Sequence, residues 1–521
     1  MTERSAVSAR KTDPRMWIAM LAAVGAGLLA HGMALFNTYA FHDDIFFLFQ
    51  TGTHAALGRW MLAVWGELEI LFFGDGHYAL PLVNGLFSLV CIGGMACLLV
   101  KLLEIRSSVF CGLLGAVMAA FPVVTAMFAF MYCAPYYSLA MWMTLVAAFL
   151  MCRRKSWVSR LLAAVLAGCA VGTYQACIPL LLTAVLLYDL RDLAEGSVEL
   201  KAFFRNIGIQ VVCIAGCMIL YFAMSKVFLY LYHTEMEDYM GLNEMGSQEV
   251  ALYLARVARA YREFFRPTRF VLYDMYPMHL YFLYYGMLIG NGILALRLVI
   301  TIWSRDRVRA VLLVMLLALV PLGCNFVFVM SDDVHGMMVY SQVFQVALFF
   351  WLLDRLSVKW AKIRVWLPRI AAIGMVLGCV MYIRYANQCY LKTEFQQQEA
   401  LSWYTSLIGR IQSSVGYRSE LPVLFVNEKE IRDPTLTRME ELDFISLNTY
   451  DSTLQEYLND HAWLYFLRRW CGYDPVLYGA GSENVEKTRE VFLKRPEIQA
   501  MPHYPDDGSI CVMDGVVVVN F

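Results

Sequence analysis

The sequence predicts a mainly α-helical, polytopic membrane bundle followed by a small α/β domain. Of the 521 residues, 60% are hydrophobic and 16% are charged, whereas soluble domains are about 45–50% apolar and about 25% charged. The hydrophobic residues fall into long runs, and a transmembrane helix needs a run of about 20 apolar residues. After residue 386 these runs give way to shorter helical and strand-like segments. We expect the membrane part to end there.

About eleven runs qualify as transmembrane helices, and the fourth to sixth of them are short. The first run follows a polar stretch of fifteen residues and has no small-residue cleavage site. We therefore expect a retained first span and no secretory signal peptide. The runs lie at residues 16–36, 79–103, 109–131, 135–151, 158–173, 175–190, 207–231, 280–303, 309–330, 337–353 and 366–386.

Loop charge predicts the orientation, because cytoplasmic loops carry an excess of Lys and Arg. With eleven spans, every basic cluster falls on one side, so we expect a cytoplasmic N-terminus. The opposite side then receives the outer loops 37–78 and 233–279 and everything after about residue 387. The basic clusters are Arg10-Lys11-Arg15, Lys101-Arg106, Arg153-Arg154-Lys155, Lys201-Arg205, Arg305-Arg307-Arg309 and Lys359-Lys362-Arg364.

Two domains are predicted: a transmembrane domain at 1–386, which carries both outer loops, and an extracytoplasmic α/β domain at 387–521. The second prediction rests on helical patterns that alternate with short apolar strand runs. The segments are a helix from Gln388 to Ile411, a strand from Leu421 to Val426, a helix from Ser452 to Trp470, a run from Val476 to Tyr478, a helix near Asn484 to Lys494 and closing strands around Ser509 to Val519.

Both outer loops contain apolar residues at helical spacing, which is typical of amphipathic helices that lie in the headgroup plane of a membrane. The apolar positions are Leu57, Met61, Val64, Leu68 and Leu71 in the first loop, and Val250, Leu254, Val257, Tyr261 and Phe264 in the second.

The composition argues against several classes of site. A net charge of −1 provides no basic field for nucleic acid. Most of the 14 cysteines lie in apolar runs, and those in the C-terminal region have no paired spacing. We therefore expect neither a disulfide framework nor a cysteine metal site. The histidines of the first outer loop, His42, His54 and His77, also lack the spacing of metal ligands.

The strongest candidate for chemistry is the pair Asp43-Asp44, beside His42 and just after the first span. Ionisable groups in a membrane are costly, and they are commonly functional. A carboxylate there can take the proton of an acceptor hydroxyl, and a like-charged neighbour raises the pKa of one of the pair, which suits a base. The second carboxylate can orient the acceptor or hold a divalent cation. An acidic N-cap for a helix that begins near Ile45 is the alternative.

Six arginines at the predicted outer face are candidates for binding a phosphate, because the Arg side chain binds phosphate bidentately. Arg59 is favoured because it shares a loop with the acidic pair. Anchoring to lipid headgroups is the competing role for each of them. The six are Arg59, Arg256, Arg262, Arg266, Arg269 and Arg384.

Two further polar segments lie on the predicted outer side. In Tyr174-Gln175, the amide can hydrogen-bond sugar hydroxyls and the phenol ring can stack on a sugar, while a polar contact between helices is the alternative. A second acidic pair, Asp332-Asp333, is interpreted as part of a short solvated loop.

Several motifs carry a resemblance to a known family. The segment FNTYAFHDDIF at 36–46 places an acidic pair directly after the first span, and Gly58-Arg59-Trp60 follows it. Thr173-Tyr174-Gln175-Ala176 and the stretch from Tyr385 into Phe395 to Ile411 add to the pattern. Together these motifs resemble the C-type glycosyltransferase superfamily and, within it, the type-II Gtr glucosyltransferases that modify bacterial O-antigen.

This resemblance implies a C-type glycosyltransferase fold and an inverting reaction. The donor it implies is a polyprenyl-phosphate sugar, typically undecaprenyl-phosphate glucose, and the acceptor is a glycan on the outer side of the membrane. Asp43 corresponds to the base and Asp44 to its partner. In one departure, the family leads us to expect an Arg before the tenth span, where this chain has His335-Gly336.

We therefore predict a hexosyltransferase of the bacterial cytoplasmic membrane, with glucose as the expected sugar. The expected partners are the lipid-linked donor, a surface polysaccharide or glycolipid acceptor, the bilayer, and a donor synthase and flippase. A flippase for a lipid-linked glycan, and an O-antigen polymerase or ligase with a diphosphate donor, are the alternatives. The predicted site residues are Asp43 and Asp44 for catalysis, Arg59, Arg262 and Arg266 for the donor phosphate, and Tyr174, Gln175 and His42 for the sugar.

Overall fold

A computed structural model describes residues 13–38, 43–46, 55–74, 79–196, 198–237, 250–267, 278–331, 334–357, 366–427, 458, 462–478 and 490–521. The chain divides into two compact units. The acidic pair groups with the second unit, although it directly follows the first helix in sequence. The helical unit comprises Met1–Thr38, Phe49–Cys389 and Leu447–Thr449, and the C-terminal unit comprises Tyr39–Leu48, Tyr390–Ser446 and Tyr450–Phe521.

Helices dominate the chain up to residue 413, and local sequence signals mark where several of them begin. Asp13 caps α1 by accepting a hydrogen bond from the Arg15 amide, with proline in the first turn. The hydrogen bond from the Arg15 side chain also lowers the pKa of the Asp13 carboxyl. The helices are α1 (Pro14–Phe36), α2 (Asp43–Phe46), α3 (Trp60–Phe73), α4 (Pro81–Leu103), α5 (Ser108–Ala120), α6 (Pro122–Phe128), α7 (Ala134–Arg153), α8 (Trp157–Thr173), α9 (Cys177–Glu195), α10 (Leu200–Leu231), α11 (Val250–Phe265), α12 (Met278–Trp303), α13 (Arg307–Cys324), α14 (Val327–Met330), α15 (Phe344–Ser357) and α16 (Trp366–Ser413).

Helical structure covers each of the eleven apolar runs that the sequence predicts to be spans, which confirms the polytopic helical bundle. Among the described residues, eight helices are long and apolar enough to cross a membrane, or nine if α5 and α6 form one span bent by 41°. Two predicted spans fall short of that standard. Helix α8 has 17 residues, and α9 carries Asp189, Arg191 and Asp192 in its second half.

Small residues allow the first helices to pack closely. Gly115 of α5 lies so near α1 that a side chain there would overlap the carbonyl oxygen of Ala19. Gly27 of α1 instead provides the space for the side chain of Leu89 on α4. Close backbone approach at small residues is the usual way in which membrane helices gain packing energy, since lipid supplies little hydrophobic driving force between them.

The outer helices bury one stripe and expose the rest of their apolar surface. In α10 the buried residues recur about once per turn, while Val211, Val212 and Ile219 are exposed. Such a helix is stable where lipid covers its exposed side. The buried stripe consists of Phe203, Gln210, Cys213, Cys217, Tyr221 and Ser225.

The C-terminal unit contains a three-stranded sheet of β1 (Val423–Val426), β2 (Ile510–Met513) and β3 (Val516–Asn520), in the order β1-β3-β2. Strand β3 pairs parallel with β1 and antiparallel with β2. Every residue of β3 is buried, so both faces of the sheet are covered. One face packs on Phe492, Ile498 and Met501, and the other carries an aromatic cluster that contains Phe425, Trp463 and Phe521.

The short helices α17 (Ala462–Arg469) and α18 (Pro496–Gln499) complete the described part of this unit. Three details differ from the sequence prediction. Helix α16 runs unbroken for 48 residues, where a span and a separate helix were expected. In the predicted run from Val476 to Tyr478, Leu477 forms an isolated bridge to Val423 and not a regular strand. Of the predicted helix from Ser452 to Trp470, only residue 458 and the part from 462 onward lie within the described residues.

Substituting Gly115 tests the close packing of α1 against α5. Gly115→Ala should lower the free energy of unfolding by about 1–3 kcal/mol, because the added methyl group forces the two backbones apart. Gly25→Ala, on the exposed side of α1, is the matched control, since a Cβ there meets nothing within 4 Å. Thermal unfolding of each purified variant in detergent measures the effect. Equal melting temperatures for Gly115→Ala and Gly25→Ala would contradict the proposed packing.

Candidate active site

Arg59 enters the helical unit from a tight turn that ends at the first residues of α3. A 3₁₀ turn at Ala55–Leu57 leads into Gly58, whose φ of +70° lies in the left-handed region. A Cβ at Gly58 would lie 2.6 Å from the Tyr221 hydroxyl and 3.4 Å from Gln175 Nε2. Glycine is therefore required both for the backbone and for the space. The turn leaves Arg59 as the N-cap of α3 and only 8% exposed.

The buried guanidinium of Arg59 is held by two side chains from distant parts of the chain. Its Nη1 donates to the Tyr137 hydroxyl at 3.0 Å, and its Nε donates to Gln175 Oε1 at 3.4 Å. Gln175 in turn donates from Nε2 to the Leu57 carbonyl at 2.7 Å and to the Tyr221 hydroxyl at 3.4 Å. Each bond restrains a group whose burial would be costly without a partner.

An aromatic pair completes this arrangement. The rings of Tyr137 and Tyr174 stack with centroids 4.2 Å apart and planes 11° apart. Tyr174 ends α8, and Gln175 lies in the turn before α9. Below, the Arg59 cluster means Arg59, Tyr137, Tyr174, Gln175 and Tyr221.

Helix α3 is docked beside the cluster by two tryptophans. Trp65 Nε1 donates to the Thr173 hydroxyl at 3.1 Å, and the Trp60 ring lies directly against Gly172. The residues that flank Arg59 and those that flank Tyr174 are therefore fixed to one another. A cationic donor, phenol groups and an amide at one place suit a ligand that combines an anion with hydroxyl groups.

The structure brings together three of the predicted site residues, Arg59, Tyr174 and Gln175. It does not add Arg262 and Arg266 to the cluster, because both are exposed near the end of α11. The buried arginine of that helix is Arg256, whose Nη1 lies 3.5 Å from the Val329 carbonyl.

The acidic pair opens α2 in the C-terminal unit. Asp44 is 3% exposed, whereas Asp43 is partly exposed. The helix begins at Asp43, two residues before the start near Ile45 that the capping interpretation assumed, so both carboxylates lie in its first turn, where they interact favourably with the helix dipole.

Several predicted residues lie outside the described part of the chain. His42 is among them, as are His54, His77 and the second acidic pair, Asp332-Asp333. Within the described ranges, no group of three or more His, Cys, Asp or Glu side chains is placed to hold a metal ion.

Sequence reasoning missed two members of the cluster, Tyr137 and Tyr221. Tyr137 follows Ala-Pro at the start of a predicted span, next to a predicted outer turn, and that position was an available signal. Tyr221 belongs to the buried stripe of α10, where Cys213, Cys217 and Ser225 recur at intervals of four. Such spacing predicts burial, but it does not identify the partner.

Replacing Gly58 tests the turn that positions Arg59. Gly196→Ala, at another left-handed glycine (φ +68°) with its nearest neighbour at 3.6 Å, should cost about 1 kcal/mol of stability from backbone strain alone. Gly58→Ala should cost about 1–3 kcal/mol more, because its methyl group also collides with the Tyr221 hydroxyl. Thermal unfolding in detergent compares the stability of the two variants. Equal losses of stability in Gly58→Ala and Gly196→Ala would contradict the packing described at Gly58.

The comparisons with known proteins agree with the resemblance noted in the sequence. The family model for glucosyl transferase GtrII matches residues 32–353, more than half of the chain. The matched region contains the acidic pair and the whole Arg59 cluster. Comparisons with curated proteins and with solved structures returned no match. The chain therefore belongs to the GtrII glucosyl transferase family. Because it also has helices that can cross a membrane, it is a membrane glucosyltransferase.

Proposed function

We propose that this protein transfers a hexose, expected to be glucose, from a polyprenyl-phosphate sugar to a surface polysaccharide or glycolipid. The observation that carries the proposal is the Arg59 cluster, in which a buried guanidinium, a stacked tyrosine pair and a glutamine amide meet inside the family-matched region. The cation suits the phosphate of a lipid-linked donor. The aromatic and amide groups suit the face and the hydroxyls of a sugar.

In this reaction an acceptor hydroxyl attacks the anomeric carbon of the donor sugar. The new bond joins the acceptor oxygen to that carbon, and the bond from the carbon to the phosphate oxygen breaks. The bonding electrons leave with the polyprenyl phosphate, and the hydroxyl proton passes to a carboxylate. Attack from the face opposite the phosphate inverts the configuration of the sugar.

Asp43 is the general base in this proposal and Asp44 the group that orients the acceptor. The exposure of the two side chains supports the division, because Asp43 is partly accessible and Asp44 is buried. Arg59 binds the donor phosphate, with Arg262 and Arg266 as secondary contacts on α11. Tyr174 and Gln175 bind the sugar, and His42 lies beside the base in sequence.

The same proposal sets the cellular context. The basic clusters predict an N-terminus inside and a C-terminal segment outside, and the family resemblance implies the bacterial cytoplasmic membrane. A donor used on the outer face and made from a nucleotide sugar inside needs a synthase and a flippase. The C-terminal unit is then on the side where a surface glycan is available, and it helps to select the acceptor.

Neutralising the acidic pair tests the catalytic assignment. Asp43→Asn should lower kcat by about 10²–10⁴-fold, the usual contribution of a general base, with little change in the KM for the donor. Asp44→Asn should lower kcat by a smaller factor. The assay follows radiolabelled undecaprenyl-phosphate glucose and acceptor glycan with purified protein in lipid nanodiscs.

Glu67→Gln, at an exposed acid on α3, is the matched control and should turn over normally. Full activity in both aspartate variants would refute the assignment. Flipped donor without any glycosylated product would favour the flippase alternative, and use of a diphosphate-linked oligosaccharide would favour the polymerase or ligase.

Chelation distinguishes a base from a cation ligand at the acidic pair. We expect EDTA to leave turnover unchanged, because a carboxylate base needs no metal ion. Activity that disappears with EDTA and returns with Mg²⁺ or Mn²⁺ would instead assign the pair to a divalent cation.

Removing the buried guanidinium tests the donor-phosphate assignment. Arg59→Met should lower kcat/KM for the donor by about 10- to 100-fold, because hydrogen bonds to charged groups contribute about 1.5–3 kcal/mol. Arg59→Lys should have a kcat/KM between those of Arg59→Met and the unchanged protein, since an ammonium group cannot reproduce the bidentate geometry of a guanidinium. Arg262→Met and Arg266→Met, at exposed positions, should each lower kcat/KM for the donor by a smaller factor. A larger loss in either variant than in Arg59→Met would assign the main phosphate contact to Arg262 or Arg266 instead of Arg59.

A further inference from the structure

We infer that Arg469, on α17, is a positioning residue that holds the acidic helix α2 in place. The inference rests on the proposed role of Asp43 and Asp44 in catalysis. Both helices belong to the C-terminal unit. Arg469 lies beyond residue 353, outside the part of the chain that the family model matches.

The first support is the set of hydrogen bonds that Arg469 donates. Its Nη1 donates to the carbonyl oxygens of Ile45 and Phe46, the latter at 3.1 Å. These two residues end α2. The last carbonyls of a helix lack partners within the helix, and a cation is favourable at that end of the helix dipole. A four-residue helix has no interior turn that could satisfy these groups.

The second support is an aromatic contact beside the guanidinium. The rings of Phe46 and Tyr465 meet edge to face with centroids 4.7 Å apart. The Arg469 guanidinium lies 5.0 Å from the centre of the same Tyr465 ring. Burial lowers the pKa of Arg469, so its charge is partly withdrawn from water, where bonds to carbonyl oxygens are stronger.

Helix α17 is itself rigidly held, so it can serve as a support. Its residues Trp463 and Phe466 are buried, and Trp463 packs against Phe425 of β1 and against Phe521. Arg469 is therefore presented from a packed helix rather than from a loose loop. Loss of its side chain should leave α17 folded and free the end of α2.

The expected consequence concerns the rate of proton transfer. A displacement of about 1 Å in a catalytic group can cost about 10²-fold in rate, even when the cause lies away from the chemistry. Arg469 touches the backbone of α2, and donor binding is assigned to other residues. A positioning role therefore predicts a change in kcat with little change in KM.

A cross-linking experiment tests the position without requiring activity. In the full-length protein with Cys471→Ser, the pair Phe46→Cys and Tyr465→Cys should form a disulfide with copper phenanthroline, detected by mass spectrometry of the linked peptides. Adding Arg469→Met should slow this reaction at least about fivefold. Arg468→Met is the matched control. The neighbouring Arg468 lies 5.8 Å from the centre of the same Tyr465 ring, but it pairs with Asp474 at 2.6 Å, so its loss should leave the rate unchanged.

Kinetics then test the consequence. Arg469→Met should lower kcat by about 10- to 100-fold, with donor and acceptor KM within about twofold, whereas Arg469→Lys should retain intermediate kcat. Added methylguanidinium should partly restore an Arg469→Ala variant. Equal cross-linking rates and equal kcat for Arg469→Met and Arg468→Met would overturn the inference. If Asp43→Asn is fully active while cross-linking still depends on Arg469, the positioning contact stands and the assignment of the base fails.

Discussion

In the helical unit, the buried positive charge of Arg59 constrains several segments of the chain at once. A buried guanidinium is tolerated only when its donors are satisfied, since the cost of withdrawing it from water is several kcal/mol. Here the acceptors come from Tyr137 on α7 and from Gln175 before α9. Gln175 is oriented in turn by Leu57 and by Tyr221 on α10. A single charge therefore ties together four segments that are far apart in the chain.

Helix α11 also buries charged side chains within the helical unit. Arg256 and Glu263 are buried, while Val250 and Leu254 are 75% and 66% exposed. Exposed apolar residues of this kind are favourable beside lipid. The buried side meets backbone acceptors of the helical unit, such as the Val329 carbonyl. Ala260 and Phe264 are buried on the helix as well, so α11 buries charged and apolar side chains together.

Sequence patterns predicted the fold more fully than the contacts within it. Apolar runs of the right length located every membrane-capable helix, and short continuous apolar runs located β1 and β3, because both signals are local. The continuity of α16 was missed, because the apolar run stops near residue 386 whereas helix propensity continues beyond it. No proline or glycine interrupts residues 379–408, so the backbone continues to Ser413. Hydropathy predicts where lipid contact ends, but it does not predict where a helix ends.

The candidate site shows a second limit of sequence reasoning, which concerns distance along the chain. Arg59, Tyr174 and Gln175 stood out because each lies beside a break between apolar runs. Tyr137 also lies beside such a break but was not singled out, and Tyr221 lies within a helix and looks like an ordinary core residue. The acidic helix is the extreme case, since its carbonyl groups meet Arg469 across 424 residues. A helix of four residues cannot satisfy its own carbonyls, so it requires a partner from elsewhere. That requirement is physical and general, but only the folded chain identifies which arginine meets it.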